Sequence, residues 1–154
     1  MNQRIRQQSG LDPISRSCTG VLIDEDGHEF PVPCEFAYDA ADPYATTFSL
    51  HGAQRSVVWV FARTLLTEGC FEPAGEADVH VWPTVSAHGE SRVAIELANQ
   101  GLTALVLVPS RVVLGFLADT EVLVPRGTES TAFELDATLT ALLQTSSDGV
   151  DRDR

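Results

Sequence analysis

The chain contains no lysine: all ten of its basic residues are arginines. GC-rich coding explains that bias more simply than any function does. Against the ten arginines stand 22 acidic residues, giving a net charge of -12. Phosphate neutralisation supplies most of the affinity of general nucleic-acid binders, so this balance argues against one. It also disfavours unassisted docking on an anionic membrane. Cysteine is scarce. Cys18, Cys34 and Cys70 are an odd number at wide spacings without a Cys-x-x-Cys, which excludes a zinc ribbon and a thioredoxin-like redox centre. They read as small buried hydrophobes rather than nucleophiles. No apolar run is long enough to span a bilayer, and residues 1–12 are polar, unlike a secretory leader. The expectation is a cytosolic protein with reduced thiols.

Chemistry-bearing patterns are also few. There is no Gly-rich phosphate loop and no Gly-x-Ser-x-Gly. His28, His51, His80 and His88 lack the spacing of a zinc hydrolase. Asp24, Asp26 and Glu29 lack the glycine and bidentate glutamate of a calcium loop, and a solvated hairpin turn accounts for them. No enzyme, cofactor or metal site is expected. A small hydrolase or metalloprotein would need two histidines, or a histidine and a cysteine, to converge in one cleft.

What is present is a single domain's worth of alternating apolar pattern, 154 residues with 44% hydrophobic content. Residues 1–13 read as a polar arm, 14–145 as the folded domain and 146–154 as a disordered acidic tail. Strands are expected at Ile14–Ile23, His28–Tyr38, Tyr44–His51, Val57–Phe61, Val79–Val81, Arg92–Leu97 and Leu102–Val108. Pro31 and Pro33 cannot donate to a ladder, so they belong at an edge or at unpaired positions. The Leu102–Val108 run is apolar on both faces, as in a strand covered on both sides. Ala62–Glu68 reads as a short helical turn stopped by Gly69. The period then changes. Ser110 is placed to cap a helix carrying Val112, Val113, Phe116 and Leu117, and a second helix carries Leu135, Leu139, Leu142 and Leu143. Strands first and helices last predict an α+β fold: a mostly antiparallel sheet of about seven strands, one face covered by two C-terminal helices.

Trp59, in an apolar strand, reads as core, whereas Trp82, before Pro83 on a polar face, is a candidate contact residue. Arg63 ends an apolar strand and is expected to pair with Asp39, Asp42 or Asp78.

Five blocks in order carry a family resemblance. They are Tyr38-Asp39 with Asp42-Pro43-Tyr44; Trp59-Val60-Phe61-Ala62-Arg63 with Leu65-Leu66; Gly75-Glu76 with Asp78-Val79 and Val81-Trp82-Pro83; Phe116-Leu117 with Thr120; and Gly127-Thr128-Glu129. Together they resemble the SsgA/SsgB-like family of sporulation and cell-division regulators of filamentous actinomycetes, most closely its SsgB branch. The resemblance implies a Whirly-like fold and no enzymatic activity. It implies a role in recruiting the tubulin-like protein FtsZ to future septa, promoting its assembly and tethering its ring. The implied partners are FtsZ, an SsgA-type paralogue and further copies of the chain, in a trimer. No direct membrane insertion is implied, so the membrane link at the septum runs through another protein. Single-stranded nucleic acid, bound by Whirly-type proteins, is the alternative ligand; it requires arginines such as Arg16, Arg55, Arg92 and Arg111 to gather on one face beside Trp82. The residues carried over as partner contacts or family motif are Asp39, Asp42, Tyr44, Arg63, Asp78, Trp82, Thr128 and Glu129. Thr64, Ala118-Asp119 and Arg126 depart from the family pattern.

Overall fold

The computed structural model describes residues 12–147. The arm expected at 1–13 and the tail expected at 146–154 therefore lie outside the described residues, apart from positions 12, 13, 146 and 147. Within them, one sheet holds eight antiparallel strands in the order β4-β3-β2-β1-β8-β7-β6-β5. The strands are β1 (Ile14–Ile23), β2 (Glu29–Tyr38), β3 (Ala45–His51), β4 (Ser56–Ala62), β5 (Ala74–Glu76), β6 (Val79–Val85), β7 (Ser91–Asn99) and β8 (Leu102–Pro109). Three helices accompany them: α1 (Arg63–Gly69), α2 (Ser110–Leu123) and α3 (Glu129–Ser147). The sheet is two four-stranded meanders joined through β1 and β8, which meet only at Val21↔Leu107, Leu22↔Val106 and Ile23↔Leu105. β4 and β5 are its edges.

The α+β class and antiparallel sheet are as the alternation predicted. The strand missing from that reading is β5, three residues, too short and glycine-containing to show a period. Pro31 and Pro33 sit where β2 has an open side, because β3 pairs only with Cys34–Ala37.

One sheet face is the core. Phe36, Phe48, Val81, Val93, Ile95, Val106 and Val108 alternate inward and are fully buried. α2 lies across this face and buries Val113, Phe116, Leu117 and Thr120. Phe36 stacks on Phe48 at 4.6 Å and meets Phe116 at 5.5 Å. Each such side chain stabilises the fold by roughly 1.5–3 kcal/mol through burial.

Three expectations change. β8 is covered on one face only: Val106 and Val108 are buried, while Leu105 and Leu107 stay half-exposed because no helix among the described residues packs on the outer face of β8. Ser110 does not cap α2; the N-cap position is Pro109, and the Ser110 hydroxyl bonds that of Ser91 at 2.9 Å. Of the two C-terminal helices, α2 covers the sheet, whereas Leu139, Leu142 and Leu143 of α3 are exposed. The place beside α2 is taken by α1, whose Leu65 and Leu66 are buried.

Candidate functional site

The residues expected to form contacts fall into an inner group and an outer one. Arg63 is the centre of the inner group. It follows Phe61 in the inward alternation of β4 and starts α1, so its side chain enters the protein, where it is 2% exposed. There it meets the C-terminus of α2 and donates to the carbonyls of Thr120 at 3.2 Å and Val124 at 2.7 Å. Both carbonyls lie at a helix's negative end, where a cation is favoured, although that of Thr120 also accepts the Val124 N–H at 2.8 Å. The second guanidinium nitrogen donates to Glu129 at 2.7 Å, and the guanidinium stacks over the Tyr38 ring at 5.1 Å. Nε is the one buried side-chain polar atom without a partner among the described residues.

Arg63 thus pairs with Glu129, not with Asp39, Asp42 or Asp78. All three aspartates are exposed, and none lies where the inward alternation aims the guanidinium. The other Glu129 oxygen accepts the Gly127 N–H at 2.7 Å. Hydrogen bonds from its own N–H and from Arg63 hold the Glu129 carboxyl below its usual range. Tyr38 closes the inner group: its hydroxyl donates to the Pro43 carbonyl at 2.9 Å, and burial pushes its pKa up. Arg63 and Glu129 therefore fasten α1, α2 and the 124–129 turn and are not available to a partner.

The outer group is accessible. Asp39 accepts from the Ala41 N–H at 2.9 Å and shapes the β2–β3 loop. Asp42 and Asp78 are exposed, and Tyr44 is 53% exposed. Thr128 is exposed and donates to Pro125 at 2.6 Å. Trp82 is half-buried on the outer sheet face. Trp59 lies half-buried against the core, as expected. It also opens a cavity of about 310 Å³ between β4 and the β5–β6 turn, lined by Trp59, Val60, Phe61, Glu76, Asp78 and Val79 among others. Nearly all of its walls come from the motif blocks at 59–66 and 75–83. Beside it, β4 exposes Val57, Val58 and Val60 by 46%, 58% and 63%. Sequence reasoning missed this strip, because three valines in an apolar run read as core; only the position of β4 at the sheet edge exposes them.

The histidines are dispersed. His28 pairs with Asp24 at the β1–β2 turn, His51 with Ser56, and His80 with Glu96 at 3.7 Å, while His88 is in the β6–β7 turn. Among the described residues, only Asp24, Asp26 and His28 approach one another as potential cation ligands. All three are exposed, and Asp24 is already used by the backbone N–H groups of Asp26 and His28. The arginines do not gather on one face. Arg16 faces α2 and pairs with Asp119 at 2.9 Å, Arg55 is in the β3–β4 turn, and only Arg92 and Arg111 are neighbours. No helix among the described residues is long and apolar enough to cross a membrane.

The sequence profile of the family described as "Streptomyces sporulation and cell division protein, SsgA" matches residues 32–129. The chain belongs to the SsgA family. Within it, the chain is 44% identical to the sporulation-specific cell division protein SsgB of Streptomyces coelicolor over 126 residues, 81% of this chain and 91% of that protein. It is 38% identical to the SsgB of Frankia casuarinae over 133 residues, 86% and 92% of the two chains. Two solved family structures share the fold. One comes from work relating SsgB mutations to longitudinal cell division during sporulation of Streptomyces coelicolor; it has a TM-score of 0.74 at 41% identity and covers 79% of this chain and 96% of its own. The other, an SsgA-like sporulation-specific cell division protein from Thermobifida fusca, has a TM-score of 0.78 at 33% identity and covers 84% and 95%. The family match spans both groups, from the strand carrying Tyr38 to Glu129, and stops at the start of α3.

Proposed function

We propose that this chain is a non-enzymatic regulator of sporulation-specific cell division that recruits FtsZ to future septum sites, promotes its assembly and tethers it there. The observation that carries this reading is the near end-to-end likeness to SsgB, 91% of whose length is matched. The geometry supports a binding role in particular. Several motif residues build an internal fastening or an open apolar surface at β4, and the polar groups of the Arg63 fastening, Nε apart, already bond one another. The protein works at the septum from the cytoplasm, with an SsgA-type paralogue and a second protein providing the membrane link.

A symmetric oligomer, a trimer in this reading, presents several copies of one weak site to a filament and gains avidity without new contacts. FtsZ is expected to be acidic, as this chain is, so long-range charge opposes their encounter. Attachment then rests on local apolar contact and on the few arginines that face outward. Sedimentation of purified FtsZ filaments with and without the protein tests the reading. Co-pelleting and an increase in pelleted FtsZ are expected; neither occurring would remove the recruitment role.

A further inference from the structure

A second cavity, of about 360 Å³, opens away from the Trp59 cleft, on the outer face where β1, β7 and β8 meet the start of α2. Its floor is apolar: Val21 and Leu107 are cross-strand partners, and Pro109 follows on β8. Its walls carry Arg92, Arg111 and one carboxylate, Glu90, which an entering carboxylate displaces from Arg92. Two arginines in one cavity are notable in a chain of net charge -12. Arg16, Arg63 and Arg126 are each paired with a carboxylate on a neighbouring element. Arg92 is held only by Glu90, at 3.3 Å, and the Glu90 side chain is itself 70% exposed. Arg111 has no carboxylate partner among the described residues.

The start of α2 adds to this field. Ser110 turns its hydroxyl to Ser91, no side chain caps the helix, and its first turn has no acidic residue. The positive end of a 14-residue helix is therefore left open beside both guanidinium groups.

We propose that this cavity is a docking pocket for a glutamate or aspartate side chain on an extended segment of a partner protein. The carboxylate bridges Arg92 and Arg111, and a neighbouring apolar residue of the segment rests on Val21 and Leu107. A carboxylate between two guanidinium groups forms charge-assisted bonds of the stronger kind. A nucleic acid fits less well. The cavity holds one anion, Arg55 and Arg16 lie elsewhere, and no basic track leads a phosphate backbone across the acidic surface. The pocket stands on this geometry alone; naming FtsZ as the partner rests on the function proposed above.

Amide NMR titrations of the full chain test the pocket, using the acetylated peptide Leu-Glu-Leu-Glu, its Leu-Gln-Leu-Gln counterpart, inorganic phosphate and oligo-dT. Expected are shifts at Val21, Arg92, Leu107 and Arg111 with the glutamate peptide only, weakened roughly tenfold by Arg111→Ala and by Arg92→Ala, which is the size of one charge-assisted bond. Shifts elsewhere, equal shifts with the glutamine peptide, a preference for phosphate or oligo-dT, no shifts, or indifference to both substitutions would each overturn it. Arg111 is exposed and Arg92 is half-buried, and the unfolding midpoints of both variants show whether the fold is intact. The filament assay separates the two ideas. Failure of the unaltered protein to pellet with FtsZ removes the proposed function and leaves the peptide result standing. Equal pelleting by Arg111→Ala removes FtsZ as this pocket's occupant.

Discussion

The guanidinium of Arg63 and the carboxylate of Glu129, 66 residues apart in sequence, lie 2.7 Å from each other inside the protein. The pair joins the start of α1, the end of α2 and the start of α3. Its strength comes from company rather than from charge alone, since Arg63 also donates to two carbonyls at the α2 C-terminus. Removing one member of a buried pair leaves the other uncompensated, at a cost of about 3–5 kcal/mol. Arg63→Met should therefore lower stability by about that much in urea unfolding, and Glu129→Gln, which keeps a hydrogen-bond acceptor, by less. Equal midpoints for Arg63→Met and the unaltered protein would show that the pair is not a fastening.

The same pair sets a pH dependence. Hydrogen bonds from its own N–H and from Arg63 depress the Glu129 pKa below the ordinary value of 4.5. The folded state thus binds this proton less tightly than the unfolded chain. The contribution to stability is fully present above pH 4.5 and is lost as pH falls through the folded-state pKa. Thermal midpoints of the unaltered protein should fall more steeply on acidification below that point than those of Glu129→Gln. Parallel curves would mean that Glu129 titrates alike in both states.

Cys18 and Cys34 face each other across β1 and β2, and their thiol pKa values are pushed in opposite directions. The interaction with Cys34 lowers the Cys18 pKa, and the same interaction, together with burial, raises that of Cys34. Burial also raises Cys70, to about 11. The thiolate is the reacting form. Iodoacetamide followed by peptide mass mapping should label Cys18 first and reach Cys34 and Cys70 only as the protein unfolds. Cys18→Ser should leave the folded protein nearly unlabelled.

Gly69 ends α1 directly against Val81 of β6, where an added Cβ would overlap the Val81 side chain and lie 3.1 Å from its backbone carbon. Gly69→Ala should cost about 1–3 kcal/mol by overpacking. Combined with Val81→Gly, the loss should be smaller than the sum of the two single losses, because the Val81 Cβ that the new methyl would overlap is then gone. Additive losses in denaturant unfolding would place the strain elsewhere.

Much of this architecture was legible because alternation and period report burial directly. The inward rows of β3 and β7, the stop at Gly69 and the helix carrying Phe116 and Leu117 follow from spacing alone. The partner of Arg63 was not legible. Sequence shows that a buried arginine needs an acid, but which acid depends on the 124–129 turn folding back over α2. The open face of β8 and the exposure of α3 were hidden for a related reason. Leu105, Leu107 and Leu139 have apolar neighbours in sequence, and only the placement of α1 beside α2 shows that the core is already covered. The candidate surface at β4 escaped because exposure there is a property of sheet order, which no local pattern encodes.

That surface gives the last test. Val58 and Val60 point away from the core on the outermost strand of the sheet, and both are more than half exposed. An apolar edge strand offers unpaired backbone groups as well as side chains, so it joins other chains unless charge prevents it. Val58→Glu and Val60→Glu place charge on that strip without touching the core. Surface changes of this kind move folding stability by only about 0.5 kcal/mol in either direction. The thermal midpoint should hardly change, whereas, on the trimer and FtsZ roles proposed above, sedimentation velocity should show smaller species and FtsZ co-pelleting should decline. The two readouts divide the roles of the strip. Loss of self-association alone assigns it to copies of this chain, and loss of co-pelleting with the assembly intact assigns it to the filament. If both survive a glutamate at position 60, β4 is an exposed edge without a partner, and the Trp59 cleft must bind without it.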